Sequence, residues 1–229
     1  MATLLFDSWG TLVDNYSISE VLEPHVHSSR IGNYIAEEWR THQKWMMFYL
    51  TLAGYFRPHP GTTESALRYT LDKFHISLSE SAIKDIMAKY HHLRAYPDVP
   101  EGLRRLKEQG HVLKIVANPT KAMLEGHTEY AGIRKYLDEI ISSGDEAKAF
   151  KPSPLVYQLG LQRAGVPKDQ VLWVTGHFWE IVGAHVNGIK SAWINRMMLP
   201  HDHVGVTPTY QTTTMTELAD ILEKQKGKV

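Results

Sequence analysis

The fold prediction starts from the stretch Leu4-Leu5-Phe6-Asp7-Ser8-Trp9-Gly10-Thr11-Leu12-Val13-Asp14 near the beginning of the chain. Its apolar part predicts a short strand over 2–6, and the residues from Asp7 onward predict a loop with a turn at Gly10 and Thr11. A carboxylate directly after a strand projects into the crevice at the end of a sheet, where backbone N–H groups can hold it. Asp7 can act there as a nucleophile or can cap the turn, and its position alone leaves both roles open.

Beyond this loop, residues 15–96 predict only helices. The spacing of apolar residues predicts one helix over Ile35–Tyr49 and another over Thr62–Phe74. Ser77 and Glu80 form a capping-box pattern that predicts the start of a further helix. This segment therefore reads as an inserted helical unit.

From residue 97 onward, helices and strands alternate. The predicted strands lie at His111–Ala117, near Ile140, at Val171–Val174 and at Ile189–Ile194. The predicted helices lie at Glu101–Gln109, Lys121–Leu124, Ile133–Leu137, Pro154–Ala164, Phe178–His185 and Glu217–Lys224. Such alternation predicts an α/β fold with a Rossmann-like, doubly wound parallel sheet. The predicted core comprises residues 1–14 and 97–229, with a helical cap over 15–96.

Composition excludes several function classes. The 229 residues carry 25 Lys and Arg and 25 Asp and Glu, so the formal charge is zero and neither nucleic acid nor a membrane surface is an expected partner. The absence of cysteine excludes a disulfide framework, a cysteine nucleophile and any Cys-ligated metal site. No signal peptide or membrane-spanning stretch is expected, and the predicted location is the cytoplasm.

Ligands of doubly wound sheets bind at the carboxyl ends of the strands. The residues that follow the predicted strands there are Asp7, Asn118, Lys151 and the run Thr175–Glu180. Pairs such as His25 with His27 lack the spacing of a zinc helix, so we predict no metal.

The stretch Phe6–Asp14 resembles the first motif of the haloacid dehalogenase (HAD) superfamily, and Lys151-Pro152 with Tyr157 resembles its third motif. The stretches Val171–Arg196 and Glu38-Trp39-Arg40 resemble the L-2-haloacid dehalogenase branch. The similarity covers nearly the whole chain. It implies a HAD fold and hydrolysis of short 2-haloalkanoic acids to 2-hydroxy acids through an aspartyl ester, with a halide ion released. It also implies a homodimer and no cofactor.

The resemblance implies roles for individual residues. Asp7 attacks the carbon that carries the halogen, and Thr11 hydrogen-bonds Asp7 or the intermediate. Lys151 fixes the nucleophilic carboxylate. Arg40 reaches down from the cap to the halide, and Asn118 offers its amide beside it.

Further residues are expected around the substrate. Tyr157 resembles the tyrosine that supports the lysine, although a core aromatic would look the same. Trp179 resembles an apolar wall of the pocket. The position of Ala117 is usually a serine that contacts the substrate carboxylate, so one side-chain donor is missing here.

Two positions separate this chain from the phosphatases of the superfamily. Trp9 stands at the position where those phosphatases share an aspartate that donates a proton to the leaving group. The run Thr175-Gly176-His177-Phe178 stands where they carry an acidic pair for Mg²⁺, and a lone Glu180 suits that ion poorly. A phosphatase remains one alternative, and a catalytically weak HAD-fold binding protein remains another because of Ala117 and the altered fourth motif.

The fourth motif suggests the base that activates water. Thr175, His177 and Glu180 replace the usual serine, asparagine and aspartate, and a histidine titrates near neutrality. A histidine base needs an acceptor for its second nitrogen. Glu180 and Glu20 are the two candidates, and Glu20 is favoured because Glu180 lies where a carboxylate supports the lysine.

Overall fold

The computed structural model of the protein describes residues 1–226. Six parallel strands form one sheet in the order β3-β2-β1-β4-β5-β6. The strands are β1 (Thr3–Phe6), β2 (Val112–Ala117), β3 (Glu139–Ser142), β4 (Val171–Thr175), β5 (Lys190–Ile194) and β6 (Tyr210–Thr212). This sheet confirms the predicted α/β fold. Only β6 was not predicted, since it has three residues and lies at the edge of the sheet.

Ten α-helices lie within residues 1–226. They are α1 (Ser19–Val26), α2 (Ser29–Leu52), α3 (His59–Lys73), α4 (Glu80–Ala88), α5 (Val99–Glu108), α6 (Lys121–Tyr130), α7 (Ser143–Glu146), α8 (Pro154–Ala164), α9 (Phe178–Val186) and α10 (Met215–Lys226). No helix in this described part of the chain combines the length and apolar character needed to cross a membrane.

Two local predictions were wrong. The cap of α4 is Ser79 and not Ser77, because the Ser79 hydroxyl accepts a hydrogen bond from the Ala82 N–H at 3.2 Å. The helix predicted at Ile133–Leu137 is only a 3-10 turn, Arg134–Tyr136. Both errors lie at the ends of short elements, where local hydrogen bonds decide the boundary.

Strand β1 occupies the centre of the sheet and is buried on both faces. Its alternating side chains place Leu4 and Phe6 in one hydrophobic cluster and Leu5 in the other. The second cluster includes Tyr157 of α8 and Trp173 of β4. Because both faces are covered, the open end of β1 is the place where this sheet can present polar groups to a ligand.

Helices α1 to α4 lie between β1 and α5 in the chain and pack over the loop that follows β1. The Trp39 indole of α2 donates to the Thr63 carbonyl of α3 at 2.8 Å, which joins these two helices. The Tyr90 ring stacks on Trp9 with a centroid distance of 4.3 Å. The helical segment 15–96 is thereby in contact with the residue two positions after Asp7. The three final residues of the predicted core, 227–229, lie outside the described residues.

Candidate active site

A cavity of about 30 Å³ lies at the carboxyl ends of the strands. The sheet half of the molecule contributes Asp7, Trp9, Asn118, Pro119, His177, Trp179 and Glu180 to its walls. The helical segment contributes Arg40, Lys44, Met47 and His59. The position fits the rule that doubly wound sheets bind ligands at this edge.

The Asp7 carboxylate is buried and held at both oxygens. Lys151 Nζ lies 2.5 Å from Oδ1, and the Thr11 hydroxyl donates to Oδ2 at 2.7 Å. Burial alone would raise the pKa of Asp7, but the charges of Lys151 and His177 and these hydrogen bonds hold the pKa below its usual value. Asp7 is therefore ionised and fixed in orientation, as a nucleophile must be.

Lys151 lies between two carboxylates. Its Nζ is 2.9 Å from both oxygens of Glu180, and the Trp173 indole donates to Glu180 Oε2 at 3.0 Å. Burial would lower the pKa of Lys151, but the charges of Asp7 and Glu180 raise it above its usual value. Burial, with the charge of Asp7, raises the pKa of Glu180 to about 8 although Lys151 opposes this. Near neutral pH, protonation of Glu180 leaves the three groups without net charge.

His177 has one nitrogen committed and one available. Its Nε2 lies 2.8 Å from the Trp9 carbonyl oxygen, which can only accept, so Nε2 carries the proton; the same nitrogen lies 3.8 Å from Asp7 Oδ2. Nδ1 has no protein partner among residues 1–226 and holds the lone pair. Burial lowers the pKa of His177 to about 4, although the charge of Asp7 opposes this. The imidazole is therefore neutral above that pH and can accept a proton at Nδ1.

Gly10 makes room for this imidazole. Its φ is +81°, which side chains other than glycine rarely adopt. A Cβ at this position would lie 2.9 Å from His177 Cε1. The turn after Asp7 therefore needs glycine both for its backbone and for the approach of His177.

The prediction that Glu20 orients His177 is wrong. Glu20 is half exposed on α1 and forms ion pairs with Arg94 and, at 3.7 Å, with Lys89. Glu180, the second candidate, binds Lys151 and Trp173. The orienting acceptor is the main-chain carbonyl of Trp9, because the turn after β1 brings it under the imidazole.

Arg40 and Asn118 line the same cavity as the nucleophile. Arg40 is only 4% exposed, its guanidinium lies 5.0 Å from the centroid of the Trp9 ring, and it donates to the side chain of Gln43. No carboxylate pairs with it in the described part of the chain. The Asn118 Oδ1 accepts from Ser143 Oγ at 3.1 Å and from the Lys151 N–H at 3.0 Å. These bonds fix the amide, whose NH₂ group donates to Met47 Sδ at 3.8 Å and has a second N–H left to donate.

Three residues predicted to bind substrate lie behind the cavity. Tyr157 donates from its hydroxyl to the Glu180 carbonyl at 3.3 Å, so it supports the helix of Glu180 and not the lysine itself. Thr175 Oγ1 accepts from the His177 N–H at 3.0 Å. Ala117 is fully buried in the core. By contrast, Trp9 and Trp179 line the cavity, and Trp179 stacks on His177 with centroids 5.5 Å apart.

Sequence reasoning missed four residues of the cavity wall, one of which, Pro119, directly follows the predicted Asn118. Lys44 and Met47 follow Arg40 on α2 at positions i+4 and i+7, a spacing that places all three on one helix face. Lys44 and Met47 could therefore have been predicted from their spacing relative to Arg40. His59 is fully buried, and burial, with the charge of Arg40, lowers its pKa to about 3. Nothing in its local sequence indicates that position. Residues 1–226 contain no group of three or more side chains placed to hold a metal ion.

Comparisons with known proteins agree with this geometry. The (S)-2-haloacid dehalogenase H-109 of Pseudomonas putida is 31% identical over 96% of both chains. The haloacetate dehalogenase H-2 of Moraxella sp. (strain B) is 28% identical over 96% of both chains. A solved L-2-haloacid dehalogenase superposes with a TM-score of 0.92 at 30% identity, covering 97% of this chain and 99% of that one.

A second solved structure holds a covalently bound acid. It is an L-2-haloacid dehalogenase from Xanthobacter autotrophicus with chloropropionic acid covalently bound, with a TM-score of 0.87, 25% identity, and coverage of 97% of this chain and 98% of that one. The profile of the haloacid dehalogenase-like hydrolases matches residues 1–188. This chain belongs to the haloacid dehalogenase-like hydrolase family.

Proposed function

We propose that this protein hydrolyses short 2-haloalkanoic acids to 2-hydroxy acids through an ester on Asp7. The observation that carries the proposal is the ionised Asp7, held by Lys151 and Thr11 in a small cavity that also contains Arg40. Relatives named (S)-2-haloacid dehalogenase over nearly their full length support the same reaction.

In the first step, a carboxylate oxygen of Asp7 attacks the carbon that carries the halogen. A C–O bond forms, the carbon–halogen bond breaks, and its electron pair leaves with the halide. The Arg40 guanidinium and the Asn118 amide stabilise the developing halide charge, because both are donors with no carboxylate partner in the described residues. No proton is needed for this departure.

In the second step, water attacks Cγ of the Asp7 ester and transfers a proton to the His177 imidazole, which lies beside Asp7. The negative charge that develops on the Asp7 oxygen not bonded to the substrate is stabilised by the donor that holds this oxygen, which is Lys151 Nζ at Oδ1 or the Thr11 hydroxyl at Oδ2. Collapse of this intermediate breaks the bond between Cγ and the substrate oxygen. That oxygen takes the proton from His177, and the 2-hydroxy acid is released. Asp7 is left as a carboxylic acid and gives its proton, the second one of the water molecule, to solvent, which regenerates the carboxylate.

The phosphatase alternative finds no support in the residues around Asp7. Trp9 stands at the position of the acid, and its indole nitrogen donates to His127 Nδ1 at 3.5 Å. Glu180 is engaged by Lys151 and Trp173. The alternative of a binding protein without catalysis would not require an ionised nucleophile aligned by a buried lysine.

The organisation of the molecule completes the proposal. We assign residues 15–96 as a cap over a core of 1–14 and 97–229, because Arg40 and Lys44 reach the cavity from this segment. A homodimer is supported by exposed apolar side chains on and after α2, where Leu52 is 90% and Tyr55 is 62% exposed. Sedimentation velocity that finds only the monomer would contradict the dimer. A cytoplasmic location stays a prediction of the sequence.

A halide-release screen tests the reaction. The substrates are chloroacetate, bromoacetate, fluoroacetate and both enantiomers of 2-chloropropionate, with p-nitrophenyl phosphate plus Mg²⁺ as the comparison. We expect halide release from the chloro and bromo acids and no phosphate release. Phosphate release without any halide release would reject the proposed function in favour of the phosphatase.

A further inference from the structure

Lys44 is a second cation in the wall of the cavity. It lies one helical turn after Arg40 on α2, is half-buried, and faces the same space as Asp7 and His177. No carboxylate within residues 1–226 is at ion-pair distance from it. Lys151, the other lysine near the nucleophile, is bound by two carboxylates.

An unpaired ammonium in this position is costly. Removing a charge from water without a partner disfavours the charged form. Burial, and then the nearby charge of Arg40, lowers the pKa of Lys44 to about 8. An anion bound in the cavity would restore the missing partner and stabilise the ammonium.

The charges around the cavity show what such an anion must be. Asp7 and Glu180 are engaged by Lys151, while His59 and His177 are neutral at pH 7. Two positive charges, on Arg40 and Lys44, are therefore left without a negative partner. A 2-haloacid brings two negative centres during the reaction, its carboxylate and the departing halide.

The surroundings of Arg40 and Lys44 indicate which cation binds the halide and which binds the substrate carboxylate. Arg40 is already held by the Trp9 ring and by Gln43, so its guanidinium is fixed where a leaving group needs a preorganised donor. The position at which the family resemblance places a carboxylate-binding serine is Ala117, which is buried and offers no side-chain donor. The carboxylate of the substrate thus lacks a side-chain donor at this position, and a flexible ammonium on the facing helix can supply one.

We propose that Lys44 binds the carboxylate of the substrate and makes this negative charge a requirement for recognition. This inference rests on the proposed dehalogenation and adds the residue that selects acids over their neutral analogues.

The experiment compares Lys44→Met and Lys44→Arg with wild type, using chloroacetate and its neutral analogue chloroacetamide. Lys84→Met is the matched control, since Lys84 is an exposed lysine on helix α4. Halide release gives kcat and KM. For Lys44→Met we expect KM for chloroacetate to rise about tenfold or more with kcat changed less than about threefold, as for the loss of one charge-assisted hydrogen bond. Release from chloroacetamide should not change.

Lys44→Arg tests the pH dependence of KM, which would not change if Lys44 had only a structural role. The titratable and charged groups that line the cavity with Lys44 are Arg40, Asp7, His59, His177 and Glu180. KM of wild type should rise above pH 8 as Lys44 loses its proton, whereas arginine stays charged and the variant should keep a low KM to about pH 9. Changes in the protonation of Glu180 should appear in kcat of both proteins alike.

Two results would overturn the inference: an unchanged KM for chloroacetate in Lys44→Met, or equal losses with chloroacetate and chloroacetamide. If wild type releases no halide at all, the proposed function fails by itself. Calorimetric binding of acetate then still tests Lys44, because wild type should bind acetate about tenfold or more tightly than Lys44→Met. Equal acetate affinity would reject the role of Lys44.

Discussion

The two sides of the cavity treat buried charge in opposite ways. On the sheet side, Lys151 is surrounded by Asp7 and Glu180, and the three groups nearly neutralise one another. On the helical side, Arg40 and Lys44 have no carboxylate partner in residues 1–226. The first arrangement fixes a nucleophile, and the second leaves attraction for anions that arrive from outside. Lys151, Arg40 and Lys44 are all cations, so the sign of the charge does not distinguish their roles. What distinguishes them is where each charge lies and whether a carboxylate pairs with it.

Removing the lysine of the paired side should have the largest effect. Lys151→Met leaves two carboxylates buried side by side without their cation, so we expect a loss of about 3–5 kcal/mol in the free energy of unfolding. Halide release should be lost as well, because Asp7 is no longer oriented. Urea denaturation measures the first effect and a halide assay the second. A variant as stable as wild type would show that the pairing contributes nothing.

His177 connects the two sides, and its loss should separate the two chemical steps. His177→Ala should release one equivalent of halide and then stall, because water has no base to activate it. We expect steady-state turnover to fall by about 10²–10⁴-fold. Mass spectrometry should find the ester on the Asp7 peptide. Turnover at the wild-type rate would move the role of base to Glu180.

Removing a cation from the unpaired side should affect stability much less than Lys151→Met does. Arg40→Met removes a buried cation that no carboxylate balances, so stability should stay within about 1 kcal/mol of wild type. The rate of halide release should fall by about 10–100-fold, the effect of one lost charge-assisted hydrogen bond to the leaving group. Thermal unfolding and pre-steady-state halide release measure both. A large loss of stability would erase the proposed contrast between the sides.

The smallest expected effect concerns the proton on Glu180. Its pKa in the folded protein is about 8, above the usual 4.5, so its contribution to stability is present below pH 4.5 and is lost as the pH rises through 8. Glu180→Gln resembles the protonated form at every pH. The stability of this variant relative to wild type should therefore increase between pH 5 and 8. A difference that does not change with pH would contradict the raised pKa.

The sequence could predict those site residues that follow strands. Asp7, Asn118 and Glu180 lie just beyond β1, β2 and β4, and parallel strands bring such positions to one edge. Lys44 and His59 were missed because their place depends on how the helical segment packs over the sheet. Glu20 was expected near the site from its place in the chain, but its charge is satisfied at the surface by Arg94 and Lys89.

The partner of His177 was missed for a different reason. The acceptor is the main-chain carbonyl of Trp9, and a backbone atom has no signature in the sequence. Its availability depends on the turn at Gly10, whose left-handed conformation permits the imidazole to approach. Motifs therefore identify side chains with reactive groups, whereas the groups that orient them emerge only from the folded backbone.

The central claim is that Asp7 becomes esterified, and isotope transfer tests it most directly. A single turnover of 2-chloropropionate with excess enzyme in H₂¹⁸O is followed by mass spectrometry of the Asp7 peptide and of the product. Because water attacks Cγ of Asp7, we predict ¹⁸O in the Asp7 carboxylate and an unlabelled hydroxyl in the lactate. Labelled lactate with unlabelled Asp7 would mean that water attacks the substrate carbon directly, and the covalent mechanism would be wrong.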